Sequence, residues 1–126
     1  MGPSKILVID DEIELCKPLK EFLEDEGYLV DCAHNGEEGI NKVKQFLPDL
    51  VLLDIRMPKT DGYFFLENIK NLSKDKIIII SALHDPKTIE KCKNFGVKIF
   101  VSKPIDLMNT KTMIENALKS DPKTTL

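Results

Sequence analysis

The sequence of 126 residues contains no tryptophan, two histidines and only three cysteines. Cys16, Cys32 and Cys92 are odd in number and far apart, which fits neither a disulfide framework nor a zinc site and favours inert thiols in a reducing compartment. No apolar run approaches the roughly 20 residues that cross a bilayer, and the N-terminus lacks the apolar segment of a signal peptide. These absences predict a cytoplasmic protein that has no contact with a membrane.

A surplus of basic charge is also missing. The sequence has 18 Lys and Arg against 21 Asp and Glu, for a formal net charge of −3 and an isoelectric point near 5.4. Domains that grip nucleic acid usually carry a strongly positive face, so we expect no direct binding of nucleic acid by this chain.

The length and composition predict one globular domain. Hydrophobic residues make up 42% of the chain and charged residues 31%, as in ordinary folded proteins. A chain of this length buries roughly two thirds of its unfolded surface, which is enough for a core without disulfides. We expect the domain to span 5–119, with 1–4 as a cloning remnant and the polar segment 120–126 as a flexible tail or the start of a linker.

Short apolar runs predict five strands. Four runs are near-continuous, which is typical of strands covered on both faces, and a fifth is interrupted by Asp31, which suits an edge. The five runs are Ile6–Ile9, Tyr28–Ala33, Leu50–Leu53, Ile77–Ile80 and Ile99–Val101.

Apolar stripes at helical spacing separate these runs, and several of them end at Gly or Pro. The stripes are Leu15-Leu19-Phe22-Leu23, Ile40-Val43-Leu47, Phe65-Leu66-Ile69-Leu72, Ile89-Cys92 and Leu107-Ile114-Ala117-Leu118. Strands that alternate with crossover helices pair in parallel through right-handed connections. The sequence therefore predicts a three-layer α/β domain with a doubly wound parallel sheet.

Polar side chains follow the predicted strands at the edge where ligands bind in such sheets. They are Asp10, Asp11 and Glu12 after the first strand, Asp54 after the third, Ser81 and Ala82 after the fourth, and Ser102, Lys103 and Pro104 after the fifth. Each of them alone is more simply explained as a helix cap, a turn former or a solvated charge. Their joint placement at one edge is what indicates a functional site.

The chemistry of this set points to phosphoryl transfer. Two carboxylates about 4 Å apart repel by on the order of 4 kcal/mol at an effective dielectric of 20, so the three aspartates need a compensating charge. Mg²⁺ with oxygen ligands is the natural candidate, and Lys103 adds a mobile second charge. Asp54 would then be the nucleophile, and Ser81 would donate a hydrogen bond to a phosphoryl oxygen.

Five motifs give the chain a strong resemblance to the receiver domain of two-component response regulators, of the chemotaxis-regulator type. The motifs are Val8–Glu12, Leu52–Pro58, Thr60–Gly62, Ile80–Ala82 and Phe100–Pro104. Each is weak alone, but together and in this order they are highly specific, and the resemblance covers nearly the whole chain. It implies a flavodoxin-like (βα)5 fold with the strand order 2-1-3-4-5.

The resemblance also implies roles for the residues at the strand ends. Asp54 matches the phosphoacceptor. Asp10 and Asp11 match the acid pair that holds Mg²⁺, with Asp11 as the direct ligand and Asp10 acting through water. The backbone carbonyl of Arg56 would complete the protein ligands, and Lys103 would contact the phosphoryl group.

The resemblance also implies a conformational switch that responds to phosphorylation. Ser81 matches the hydroxyl that moves toward the phosphoryl group, and Phe100 matches the aromatic side chain that turns inward behind it. Ala82 is small and leaves room for the phosphoryl group, and the peptide between Lys103 and Pro104 matches one that is cis in the family. The surface of the fourth helix, fifth strand and fifth helix would change for an output partner and is a candidate homodimer interface.

The function that follows is a phosphorelay switch, not an enzyme, which accepts its phosphoryl group from a sensor histidine kinase or a phosphotransferase. The resemblance implies that the second residue after the phosphoacceptor and the second after the switch hydroxyl modulate the lifetime of the phosphoryl group. These are Arg56, which is bulky, and Leu83, which cannot hydrogen-bond a water molecule, so self-dephosphorylation is expected to be slow. The alternative is an aspartate-nucleophile phosphatase of the haloacid dehalogenase type, although such enzymes usually carry a second carboxylate where this chain has Arg56. A flavodoxin-like cofactor carrier is disfavoured because the acidic run after the first strand would repel a phosphate.

Overall fold

The computed structural model describes residues 2–57, 61–82 and 86–119 of the chain. Five strands alternate with five helices: β1 (Lys5–Ile9), α1 (Ile13–Asp25), β2 (Leu29–Ala33), α2 (Gly36–Phe46), β3 (Leu50–Asp54), α3 (Gly62–Asn68), β4 (Ile77–Ser81), α4 (Pro86–Asn94), β5 (Ile99–Ser102) and α5 (Leu107–Lys119). A short 3-10 turn, Lys74–Lys76, precedes β4 and was not predicted. The expectations for Pro58, Thr60, Leu83 and the tail 120–126 fall outside the described residues.

All strand pairs are parallel, and the strands lie in the order β2-β1-β3-β4-β5. The predicted doubly wound sheet and its strand order are therefore confirmed. The interrupted run lies at an edge as β2, while β1, β3 and β4 are covered on both faces. From Ile6 to Ile9 every residue is buried, which explains why the central runs are apolar without alternation.

Side chains of the sheet alternate between two buried layers. Leu7 and Leu53 pack on one side with Val43 of α2, Phe65 of α3 and Cys92 of α4. The other side packs against α1 and α5 and contains Ile6, Val8, Cys16, Leu19, Leu23, Ile114 and Ala117. Because the strands are in parallel register, their carboxyl ends meet at one edge, where the site lies.

The third helix is shorter than the apolar stripe predicts. α3 ends at Asn68, because Ile69 already has an extended backbone with φ −70° and ψ 136°. The N–H of Ile69 makes the last helical hydrogen bond, to the carbonyl of Phe65 at 2.9 Å. Ile69 is buried and Leu72 packs against the same core layer, so the apolar stripe continues through a packed loop after the helix. Among the described residues, no helix has both the length and the apolar composition needed to cross a bilayer.

Candidate functional site

The ammonium of Lys103 lies among three carboxylates at the carboxyl edge of the sheet. Its Nζ is 2.7 Å from Glu12 Oε1, 3.0 Å from Asp10 Oδ2 and 3.2 Å from Asp54 Oδ2. The Asp10 and Asp54 side chains are almost completely buried, whereas that of Glu12 is 59% exposed. The structure thus brings together residues that are up to 91 positions apart in the sequence.

Backbone hydrogen bonds hold Asp10 in place after β1. Its N–H donates to the carbonyl of Ala33 at 2.9 Å, and its Oδ1 accepts from the N–H of Glu12 at 2.9 Å. The carbonyl oxygen of Asp10 lies 3.0 Å from His34 Nδ1 and accepts from Cys16 Sγ at 3.6 Å. The main chain at this residue is therefore fixed from three neighbouring elements.

Asp54 and Lys103 are fixed in the same manner. Asp54 is the last residue of β3, and its Oδ1 accepts from the N–H of Arg56 at 3.2 Å. The N–H of Lys103 donates to the carbonyl of Ser81 at 3.0 Å, which ties the loop after β5 to the end of β4. The Lys103–Pro104 peptide is cis, as the resemblance implies.

Burial and charge shift the protonation equilibria of this cluster. Burial, followed by repulsion from Asp10, raises the pKa of Asp54 to about 6, although Lys103 and the N–H of Arg56 act in the opposite direction. Burial acts to lower the pKa of Lys103, but hydrogen bonding to Glu12 and the charges of Asp10 and Asp54 outweigh it and raise that pKa. One ammonium therefore does not fully compensate the carboxylates around it.

The donor set fits a hard divalent cation. Oxygens of Asp10, Glu12 and Asp54 lie within 4.8 Å of one another. Asp10 Oδ2 is buried and accepts no hydrogen bond, because its 3.0 Å contact with Lys103 is an ion pair without hydrogen-bond geometry. A buried carboxylate oxygen without a hydrogen bond, in an all-oxygen cluster, is the kind of ligand that Mg²⁺ prefers.

Compared with the three carboxylates that were predicted as metal ligands, this group contains Glu12 in place of Asp11. Glu12, which sequence reasoning treated only as part of an acidic run, lies in it, and its longer side chain accounts for its reach to Lys103. Within the part of the chain that the structure describes, Asp11 is half-buried and lies outside this group. The roles of Asp11 and of the Arg56 carbonyl as metal ligands stay predictions.

The predicted switch residues border a small cavity. Ser81 is buried at the end of β4, and it lines a space of about 130 Å³ together with half-buried Phe100. Thr88 of α4 lines the same space and also a larger, open cavity of about 520 Å³ that reaches Arg56. Thr88 had no signal in the sequence, while Ala82 lies exposed just beyond Ser81.

Gly62 allows α3 to approach the end of β3. A Cβ atom at this position would lie 2.7 Å from the carbonyl oxygen of Asp54 and 2.7 Å from the Cα of Ile55. Asp61 starts the helix by accepting a hydrogen bond from the N–H of Phe64 at 3.0 Å. The Asp61-Gly62 pair, which alone is only a turn signal, therefore supports the backbone beneath Asp54.

The chain matches the family model for the response regulator receiver domain over residues 6–115. It is 39% identical over 122 residues to the chemotaxis protein CheY of Treponema pallidum (strain Nichols), which covers 94% of this chain and 85% of that protein. Four further curated relatives are longer proteins, of which the chain spans 47% to 57%.

Solved structures share the fold. A CheY-like receiver domain protein from Methanospirillum hungatei JF-1 has a TM-score of 0.86 at 26% identity, covering 93% of this chain and 94% of that chain. The CheX–CheY–BeF3–Mg²⁺ complex from Borrelia burgdorferi has a TM-score of 0.82 at 32% identity, covering 94% and 92% of the two chains. These likenesses give no support to a phosphatase of the haloacid dehalogenase type.

Proposed function

The chain belongs to the response regulator receiver domain family, and on that premise we propose that Asp54 is its phosphoacceptor. As a receiver domain of the CheY type, the protein is a phosphorelay signalling switch. One observation supports Asp54 above the other carboxylates: it ends the central strand β3, buried, between a main-chain N–H and the ammonium of Lys103.

The transfer needs a nucleophile, a compensated charge and a leaving group. A carboxylate oxygen of Asp54 attacks the phosphorus of a phosphohistidine on a kinase or phosphotransferase and forms a P–O bond. The P–N bond to the histidine breaks, and the departing imidazole nitrogen takes up a proton. The product is an acyl phosphate at Asp54, whose phosphoryl group carries about −1.5 to −2 charges in place of the single charge of the carboxylate.

Mg²⁺ fits the acidic group, with Asp10, Asp11, Asp54 and the carbonyl of Arg56 as proposed ligands and with Glu12 within reach. When bound, the cation neutralises charge on the phosphoryl oxygens during transfer. The Borrelia relative is solved with BeF3 and Mg²⁺, which supports the same cofactor class for this chain.

Lys103 and Ser81 act on the phosphorylated state. Lys103 exchanges its contact with the Asp54 carboxylate for one with a phosphoryl oxygen, which keeps its charge paired. The hydroxyl of Ser81 moves toward another phosphoryl oxygen beside the small side chain of Ala82. Phe100 then turns into the cavity that it shares with Ser81, and the surface of α4, β5 and α5 changes shape.

Receiver domains of CheY-like regulators interact with kinases and with output partners. For this chain we propose a cytoplasmic location and a sensor histidine kinase or phosphotransferase as the donor. We place both the output contact and a homodimer contact on the surface of α4, β5 and α5. With bulky Arg56 after the acceptor, the proposed role is a switch with slow self-dephosphorylation rather than a phosphatase with turnover.

Mass spectrometry after exposure to a small acyl phosphate and Mg²⁺ tests this proposal. The wild-type chain and the control Asp25→Asn, which changes an exposed carboxylate at the end of α1, should each gain one phosphoryl group. Asp54→Asn should gain none, and chelation of Mg²⁺ should prevent the reaction in the wild-type chain and in Asp25→Asn. Phosphorylation of Asp54→Asn at the wild-type rate would exclude Asp54 as the acceptor.

A further inference from the structure

Glu12 makes the shortest contact with the ammonium of Lys103. The distance from Lys103 Nζ to Glu12 Oε1 is 2.7 Å, compared with 3.0 Å to Asp10 Oδ2 and 3.2 Å to Asp54 Oδ2. The side chain of Glu12 is 59% exposed, whereas that of Lys103 is only 12% exposed. Of the three carboxylates around the ammonium, Glu12 is therefore the one that faces the solvent from which a phosphodonor arrives.

The helix that Glu12 precedes does not explain the direction of its side chain. Glu12 is the N-cap residue of α1, and its backbone carbonyl accepts hydrogen bonds from the N–H groups of Leu15 and Cys16 at 3.0 and 3.2 Å. An N-cap side chain commonly accepts a hydrogen bond from the first turn, but that of Glu12 makes none. It is directed instead to Lys103, 91 positions further along the chain. The contact with Lys103 therefore sets its orientation.

Phosphoryl transfer changes what is required of Lys103. As a phosphoryl group reaches Asp54, the ammonium has to pair with a phosphoryl oxygen, and the contact with Glu12 competes for the same positive charge. A small donor also carries its own negative charge past Glu12, and like charges a few ångströms apart repel one another even in water. Both effects oppose transfer from a negatively charged donor.

We propose that Glu12 is a specificity-determining residue, which disfavours small dianionic phosphodonors by competing with them for Lys103. The inference rests on the proposed function, in which Asp54 accepts the phosphoryl group, and it adds the class of donor that the site selects. A kinase or phosphotransferase can present a lysine or arginine beside its phosphohistidine, and this cation pairs with the Glu12 carboxylate as Lys103 is withdrawn. A small donor has no such cation and meets the full charge of Glu12.

Two small donors of different charge provide the test. With acetyl phosphate, which is dianionic at neutral pH, an oxygen of Asp54 attacks phosphorus, the P–O bond to the acetyl group breaks, and acetate leaves with the bonding electrons. With phosphoramidate, whose nitrogen is protonated, the same attack breaks the P–N bond and ammonia leaves. Because the protonated nitrogen reduces the net negative charge of phosphoramidate, Glu12 should slow this donor less.

Mass spectrometry at successive times, with saturating Mg²⁺, measures the rates of phosphorylation of the full chain. Glu12→Gln should react with acetyl phosphate about threefold to tenfold faster than the wild type, and the factor for phosphoramidate should be smaller. Glu14→Gln is the matched control and should react at the wild-type rate, because it removes an exposed carboxylate in the first turn of the same helix. The advantage of Glu12→Gln should disappear at about 1 M salt, where charges are screened within about 3 Å.

Glu12→Asp separates the contact with Lys103 from the negative charge itself. The aspartate keeps the charge, but its side chain is one methylene shorter and cannot hold Nζ at the distance that Glu12 does. If competition for Lys103 is what slows small donors, this variant should also react faster with acetyl phosphate than the wild type.

Four results would each overturn the proposal: an equal or lower rate for Glu12→Gln, the same acceleration in Glu14→Gln, an equal factor for the two donors, or a wild-type rate for Glu12→Asp. A lower rate for Glu12→Gln would in addition indicate that the carboxylate assists the reaction. Failure of the wild-type chain and of every variant to gain a phosphoryl group at Asp54 would instead overturn the proposed function itself.

Discussion

Asp54 is ionised at neutral pH in surroundings that oppose its charge. It is 3% exposed, and the carboxylate that repels it, Asp10, is fully buried. Raising its pKa from 3.8 to about 6 costs the folded state on the order of 3 kcal/mol once the group is ionised. The reactive residue is therefore held in place at the expense of stability, which is a common property of functional sites.

Asp54→Asn should consequently stabilise the metal-free fold. We expect its free energy of unfolding in a chelator at pH 7 to exceed that of the wild type by about 1–3 kcal/mol, measured by urea unfolding. Below pH 3.8 the wild-type carboxyl is protonated in both states, so the difference should vanish there. It should grow as the pH rises from 3.8 to about 6 and then stay constant.

The exposed residue Asp25 provides the control for this measurement. Asp25→Asn should change the free energy of unfolding by less than about 0.5 kcal/mol, both at pH 7 and below pH 3.8. If Asp54→Asn were less stable than the wild type at pH 7, or equally stabilised near pH 4, the electrostatic argument for Asp54 would fail.

The sequence predicted several residues that meet at the site because the ends of buried strands can be recognised in it. A run of buried residues that stops at an aspartate or lysine places that side chain at the edge of a parallel sheet. Glu12 was missed because its membership depends on how far a flexible side chain reaches toward Lys103, which no spacing rule encodes. Thr88 was missed because it comes from a helix face, where a single threonine carries no signal.

At the scale of elements, α3 and β3 form one support for the site. The N–H of Gly62 donates to the carbonyl of Ile55 at 3.0 Å, directly after Asp54. The stripe that predicted α3 gave the correct position but the wrong end, because apolar spacing reports burial and Ile69 is buried without being helical.

Gly62→Ala should loosen this support. The new methyl group would lie 2.7 Å from backbone atoms of Asp54 and Ile55, which cannot move aside without displacing the acceptor. We expect a loss of about 1–3 kcal/mol in urea unfolding and a several-fold slower phosphorylation of Asp54.

Gly39→Ala is the matched control for Gly62→Ala. Its methyl group would also be too close to its neighbours, but these are side-chain atoms and not backbone: Ile9 Cδ1 at 2.6 Å, Phe65 Cδ1 at 3.2 Å and Ile9 Cγ1 at 3.3 Å. Helix propensity favours alanine there by up to about 1 kcal/mol, so a near-neutral outcome is expected. A larger loss of stability for Gly39→Ala than for Gly62→Ala would contradict this view of the α3 contact.

Because the chain contains no tryptophan, the fluorescence of a single introduced tryptophan can report the proposed movement of the side chain at position 100. Phe100→Trp places one indole next to the cavity of about 130 Å³ that Ser81 also lines. Phosphorylation should move its emission to shorter wavelength as the ring turns inward, and Ser81→Ala should suppress this change. Phe46→Trp, at the far end of α2, should show constant emission, and the same constancy for Phe100→Trp would exclude the proposed rotation.

At the scale of the whole molecule, binding of Mg²⁺ and the stability of the folded state are thermodynamically linked. A ligand that binds only the folded state adds about 2.7 kcal/mol at one hundred times its Kd. Mg²⁺ should therefore raise the Tm of the wild-type chain by several degrees. Asp10→Asn should lose most of this increase, because it alters the buried oxygen that accepts no hydrogen bond, whereas Asp25→Asn should retain it. Equal increases for both variants would place the cation elsewhere.

The ion pair between Lys103 and Glu12 spans 91 positions, nearly the full length of the domain. A ribosome releases the acidic end of this pair 91 residues before the ammonium. Nascent chains that stop short of β5 already contain Asp10, Glu12 and Asp54 but lack the counter-charge of Lys103. We therefore expect the phosphoacceptor site to be complete only once the residues that follow β5 have been synthesised.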